Sequence, residues 1–356
     1  MTGKERISRI LKHQAVDRIG LHEHFWGDTY AAYTQSGVPQ GESFEKHFNL
    51  DISSGWAYNL VIDQEFQEET IREDSDTITK KDGNGAILRR HKHHDTTPEH
   101  VDFTIKERED WDAVKSKLLE NPEKRINFEA YRKAKAEAEK DGRFFTWNGV
   151  NVFECIHPVC GHENMLCGMA LDPEWVQDMA ETYADLLVKL HDILFEREGL
   201  PDGMFYYEDM GFKYKPFMSP QMYRDLIFPS HKYTIEHAHK KGLPVIMHSC
   251  GFIEPLLPDM VKAGIDCLQV IEVKAGMDLL RIHRQFGDKI ALMGGIDVRA
   301  LYTNDKKVID AELEAKIPIV KQGFGYVAHS DHSIPKTVEY ETFKYYIQKV
   351  LELGAY

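Results

Sequence analysis

Two residues in one short stretch, His248 and Cys250 of Pro244-Val-Ile-Met-His-Ser-Cys-Gly251, have the type and spacing for metal chemistry. Val245, Ile246 and Met247 are the apolar run of a buried strand, and in extended chain residues i and i+2 leave the same face. Gly251 ends that strand, and Phe252 to Ala263 reads as a helix. An imidazole and a thiolate thus stand where a parallel strand runs out, the end at which α/β folds bind ligands. That donor pair suits zinc better than magnesium or calcium. Alone it reads more readily as core, because Cys is among the most often buried residues and a structural zinc site shows four ligands.

Further donors stand at the ends of other predicted strands. Gly203–Tyr207 runs into Glu208 and Asp209, Ile265–Val273 ends near Glu272, and Lys289–Met293 runs on to Asp297. Gly325–Ala328 ends in His329-Ser330-Asp331-His332. Three histidines (248, 329 and 332) and Cys250 on two strand ends are enough for three ligands and one open position, the pattern of a catalytic zinc. Glu208 is a candidate fourth ligand or acid–base group, and Asp331 a candidate acid–base group. Upstream, Ile19–Trp26 and Arg143–Val150 also read as strands with polar ends. His22, His24, Trp26, Trp147, Asn148 and Tyr206 are candidate substrate-binding residues, Tyr207 joins the aromatics as a candidate pocket wall, and these aromatics read equally as ordinary core or rim.

The elements that must position these groups alternate strand with helix from residue 203 to the final helix at 338–353. Asp172 caps a long helix with Pro173 at its first position and Gly199 beyond its end. Such alternation predicts an α/β fold, a (β/α)8 TIM-type barrel, over residues 1–356 as one domain. An N-terminal helical segment at 2–14 starts with a Thr2/Glu5 capping box. An inserted β-hairpin at about 70–106 turns at Asp82-Gly-Asn-Gly85. Its His91, His93 and His94 read as a solvated face. Cys155 and Cys160, with His157 and His162, form a second candidate metal cluster without a matching second pair.

Composition narrows the function classes. The net charge of −14 offers nothing to nucleic acid or an anionic membrane. No apolar run reaches the length of a membrane span. Five cysteines in 356 residues argue against a disulfide scaffold and for a reducing compartment, so a cytoplasmic location is expected. Monomer and oligomer are both compatible with the sequence.

The opening MTGKERISRILKHQAVDRI, the strand end HSCG and the closing HSDHSIPKTVEYETF resemble the uroporphyrinogen decarboxylase-like superfamily. They are most similar to its zinc-dependent, corrinoid-linked methyltransferase branch, which includes coenzyme M methyltransferases and methoxy-compound demethylases. The resemblance covers nearly the whole chain. It implies zinc held by His248 and Cys250, with the third ligand at the position of His332, where the branch has a cysteine. It also implies a small methylated substrate, O-methyl compounds included, and a corrinoid supplied by a partner protein. The tetrapyrrole decarboxylase proper matches less well, because the first strand end, His22-Glu-His-Phe-Trp-Gly-Asp28, has no arginine to hold substrate carboxylates. The alternatives are a metal-free carboxy-lyase acting on an organic acid and a non-catalytic binding protein.

Overall fold

The computed structural model describes residues 1–93 and 97–356. In chain order, β1 (Gly20–Leu21) and β2 (Ile52–Trp56) are followed by four strands of a separate sheet. These are β3 (Glu69–Glu73), β4 (Thr77–Lys81), β5 (Ala86–His91) and β6 (Glu99–Phe103). Then come β7 (Phe144–Val150), β8 (Gly203–Tyr207) and the ribbon β9 (Gly211–Phe212) and β10 (Lys215–Pro216). The last four are β11 (Val245–Ser249), β12 (Cys267–Val270), β13 (Ala291–Gly294) and β14 (Tyr326–Ala328).

Eight of these strands form one parallel sheet in the order β1-β14-β13-β12-β11-β8-β7-β2, curled as in a TIM-type α/β fold. The two end strands meet. The Asp51 N–H donates to the Leu21 carbonyl (2.8 Å), and the Leu21 N–H donates to Asp51 Oδ2 (2.8 Å). Arg6 and Arg18 neutralise that buried carboxylate at 2.6 and 2.8 Å, so the seam carries a paired charge. β1 is shorter than the predicted Ile19–Trp26, because beyond Leu21 the chain leaves the ladder and returns only as a single bridge, Phe25 to Ile334.

Alternation along the strands divides the core in two. Phe144, Phe205, Ile246, Cys267, Ala291 and Val327 point inward, where Ile7 and Ile10 of the capped N-terminal helix Gly3–Ile10 pack against them. Phe145, Trp147, Met204, Tyr206 and Met247 point outward against the surrounding helices. The helix Pro173–Glu198 lies in that outer layer, with Asp172 accepting from the Trp175 N–H at its start.

The insertion differs from a lone hairpin. The turn at 82–85 joins β4 to β5, but β3 and β6 flank them in a four-stranded antiparallel sheet. An isolated hairpin is marginal in water, and the outer strands add the partners it lacks. His94 lies outside the described residues. Among the described residues, no helix is long and apolar enough to cross a membrane.

Candidate metal centre at the barrel mouth

The strand register aligns Tyr207 with His248 and His248 with Gln269 across β8, β11 and β12. Parity therefore aims these three side chains to the same face at the carboxyl end of the sheet. Asp209, two residues past Tyr207, leaves on the same side. Its Oδ1 accepts the Cys250 N–H at 2.8 Å and lies 3.1 Å from His248 Nε2. Cys250 Sγ is 3.2 Å from the same nitrogen. Among the described residues, Asp209, His248 and Cys250 form the group of potential ligand atoms lying within 4.8 Å of one another.

Two glycines make this convergence possible. A Cβ at Gly211 would strike the Cys250 carbonyl, and a Cβ at Gly251, where φ is +78°, would strike the Gly211 backbone. The segments leaving Asp209 and Cys250 thus touch backbone to backbone. Glu272 fixes the second of them by accepting the Gly251 N–H at 2.6 Å.

The three polar groups also hold one another's protons. Burial works against charge on His248, yet Cys250 and Asp209 beside it raise the imidazole well above its usual value. Burial likewise opposes ionisation of Asp209, but His248 keeps its carboxyl below the usual range. The Cys250 thiol is pushed up to about 11 by burial, against the pull of His248.

Behind the group runs a line of side-chain contacts. His248 Nδ1 meets Gln269 Oε1, Gln269 Nε2 stands 3.3 Å from His329 Nε2, and His329 Nδ1 meets the Ser330 carbonyl. Ser330 in turn donates its N–H (2.9 Å) and hydroxyl (2.7 Å) to Glu23, which also accepts from Tyr346 at 2.7 Å. Burial pushes the Glu23 carboxyl up to about 8 despite these donors.

The group opens on a cavity of about 420 Å³. Phe25, Trp26, Tyr30, Trp56 and Tyr207 supply its aromatic walls, and no Lys or Arg lines it among the described residues. Burial lowers His24 and His329 well below the usual imidazole range, helped by neighbouring histidines, and lowers His332 as well. Trp56 stacks on Tyr207 with centroids 5.3 Å apart.

Of the residues singled out in the sequence, His248 and Cys250 come together as described. His332 lines the same cavity, stacked on Trp26 at 5.5 Å, but it is not in the close group, where Asp209 stands instead. His24 lines the cavity, with its Nε2 3.3 Å from the Tyr207 hydroxyl. Asn148 reaches the cavity through Tyr207 Oη, 3.4 Å away. His22 is buried beside His24 (4.9 Å between rings), with neither ring nitrogen hydrogen-bonded.

Trp147 and Tyr206 are on the outer face, where both contact His191 and the Tyr206 hydroxyl lies 3.1 Å from His191 Nε2. The two candidate acids bind backbone rather than face the cavity. Glu208 accepts the Phe153 and Glu154 N–H groups (2.7 and 3.0 Å) at the start of helix Val152–Leu171 and pairs with His231. Asp331 accepts the Val273 and Val298 N–H groups at 2.9 and 2.8 Å, tying two loops together, and burial pushes it up to about 6. Both are helix- or loop-capping carboxylates with no free oxygen toward the mouth. Cys155 and Cys160 are buried in the outer core, and His157 and His162 stack on His100 of the inserted sheet.

In the sequence Asp209 stands out only as one of the strand-end acids and Tyr207 only as one of the aromatics of a candidate pocket wall, and Gln269 is not marked at all. Parity offers a signal for Tyr207, which must face opposite to Tyr206. Gln269 carries no such signal, since its place depends on the register of β12 against β11.

Fold and site together define a TIM-type α/β barrel with a nitrogen–sulfur–oxygen donor group at its carboxyl-end mouth. The model of the uroporphyrinogen decarboxylase (URO-D) family matches residues 155–353, and the chain belongs to that family. No curated protein matches the chain. Among solved structures, it is similar to a methyltransferase from Methanosarcina mazei at 14% identity and a TM-score of 0.71, covering 99% of both chains. A match to a Xaa-Pro dipeptidase, at 12% identity and a TM-score of 0.32 over 63% of this chain and 59% of that one, is too distant to bear on the fold.

Proposed function

We propose that this chain is a zinc-dependent methyltransferase that moves a methyl group between a small methylated compound and the corrinoid of a separate partner protein. The observation that carries the reading is the convergence of Asp209, His248 and Cys250 on one point of the cavity. Imidazole nitrogen, thiolate sulfur and carboxylate oxygen are ligand types that zinc takes, and three protein ligands are the number a catalytic zinc uses. The metal would be held by His248, Cys250 and Asp209, with His332 across the cavity as a further candidate donor. When bound, zinc supplies Lewis acidity to the heteroatom that carries or receives the methyl group.

The other residues act on the substrate. Trp26, Trp56, Phe25 and Tyr30 give the reacting methyl group an apolar wall. Tyr207 presents its hydroxyl to the cavity, with His24 Nε2 3.3 Å behind it, and orients a substrate oxygen or nitrogen. Glu208 and Asp331 keep the loops that carry Asp209 and His332 in place. Among the described residues a polycarboxylate would find no Lys or Arg in the cavity lining, which favours methyl transfer over decarboxylation of such a substrate. A match to a methyltransferase structure over the full length of both chains is consistent with this choice.

The test is turnover with free cob(I)alamin as acceptor and a panel of methyl ethers, thioethers and methylamines as donors. The reading expects conversion to methylcobalamin with a member of the panel, lost on chelation. Absence of transfer, together with metal-independent CO2 release from an organic acid, would establish the carboxy-lyase instead.

A further inference from the structure

The contacts behind His248 have a fixed polarity, and it can be traced from a group that cannot reverse. The Ser330 carbonyl only accepts, so His329 Nδ1, which contacts it, must carry the hydrogen. His329 is fully buried between His22 and His24, where a second proton is disfavoured, so its Nε2 bears a lone pair. The atom of Gln269 that stands 3.3 Å from that lone pair is therefore the amide NH2. The amide oxygen is then forced to face His248, and His248 Nδ1 must donate to it. What remains for the mouth of the barrel is Nε2, the nitrogen that lies 3.2 Å from Cys250 Sγ and 3.1 Å from Asp209 Oδ1.

We propose that Gln269 is the positioning residue of the metal centre: it holds His248 with Nδ1 protonated so that Nε2 alone is presented to the cation. It takes that orientation from the Ser330 carbonyl through His329. Metal-bound histidines commonly donate their other ring N–H to a fixed acceptor, and removing that acceptor weakens the metal. Here the acceptor is itself held by a second hydrogen bond on its far side. Gln269 is fully buried and cannot turn its amide without setting its oxygen against the His329 Nε2 lone pair. This inference rests on the reading of His248 as a metal ligand, but the protonation of Nδ1 can be read without any metal.

The experiment combines 15N spectroscopy of the histidine side chains with zinc affinity measured against a chromophoric chelator. In wild-type protein His248 Nδ1 should be protonated and slow to exchange, with or without zinc. Gln269→Leu should lose that protection and bind zinc about 10–100-fold more weakly. Gln269→Glu keeps an acceptor for Nδ1, its second carboxylate oxygen drawing a proton onto His329 Nε2, and should recover most of the affinity, which a general packing defect at this site would not do. An unprotonated His248 Nδ1 in the wild type, or equal zinc affinity in wild type and Gln269→Leu, would overturn the proposal. If the wild-type protein binds no zinc while Nδ1 is protonated and protected, the metal reading fails and the polarity stands.

Discussion

The molecule holds two groups of histidines, and they are built on different principles. His24, His248 and His329 line the barrel mouth, where strand register sets His248 between Tyr207 and Gln269, and the Ser330 carbonyl, acting through His329 and Gln269, sets the polarity of His248. His100, His157 and His162 stack between the inserted sheet and the helix Val152–Leu171, with centroids 4.2 Å apart for the helix pair and 5.7 and 6.0 Å to His100. In the first group a thiol and a carboxylate meet one imidazole nitrogen. In the second the rings lie face to face, so their nitrogens point side by side. Residue type is the same in both. What distinguishes them is whether the backbone turns the donor atoms toward a common point.

That contrast predicts where substitutions should hurt. Cys250→Ser should reduce zinc affinity by more than about 100-fold, beyond the range of an outer-sphere loss, whereas a His157→Gln, His162→Gln double variant should keep wild-type metal content. Equal zinc loss in the two would erase the distinction. Within the mouth, Asp209→Asn should cost more affinity than His332→Ala, as chelator competition would show; the reverse order would make His332 the third ligand.

Glu208→Ala tests the capping role. It removes one partner of a buried pair and leaves two helix N–H groups unmet, so a loss of about 3 kcal/mol in denaturant unfolding is expected, with zinc per folded molecule unchanged. Loss of zinc without loss of stability would return Glu208 to the metal.

The smallest expected effect concerns pH. Burial, with His157 beside it, lowers His162 to about 4, and burial lowers His100. Their folded values lie below the unfolded one, so the unfolded chain binds more protons between them. Stability of the contact is then complete above the unfolded value of about 6.5 and falls as pH drops toward 4. Hydrogen exchange in β5 and β6 should quicken over that interval in the wild type and less so in His162→Gln.

Much of this arrangement is legible before any coordinates. The β/α alternation after residue 203 and the HSCG strand end give the barrel and two of the three close donors. Single-residue parity separates Tyr207 from Tyr206 and Asn148 from Trp147, because neighbours on a strand face opposite ways. It does not reveal register, and register is what brings Gln269 beside His248. Nor does it show that Glu208 and Asp331 are spent on backbone N–H groups, since a strand-end carboxylate reads alike as a cap or an acid. Asp209 is legible as a strand-end acid, but its meeting with Cys250 depends on the contact of Gly211 with Gly251, a tertiary event with no local mark in the chain.

The central claim is that His248, Cys250 and Asp209 share one divalent ion. Elemental analysis of the purified protein, wild type beside Cys250→Ser, addresses it directly. The account predicts about one equivalent of zinc in the wild type and a small residue in the variant, as expected when one of three protein ligands is lost. A wild-type protein that is folded, active and free of zinc, or a variant that retains its full equivalent, would contradict it.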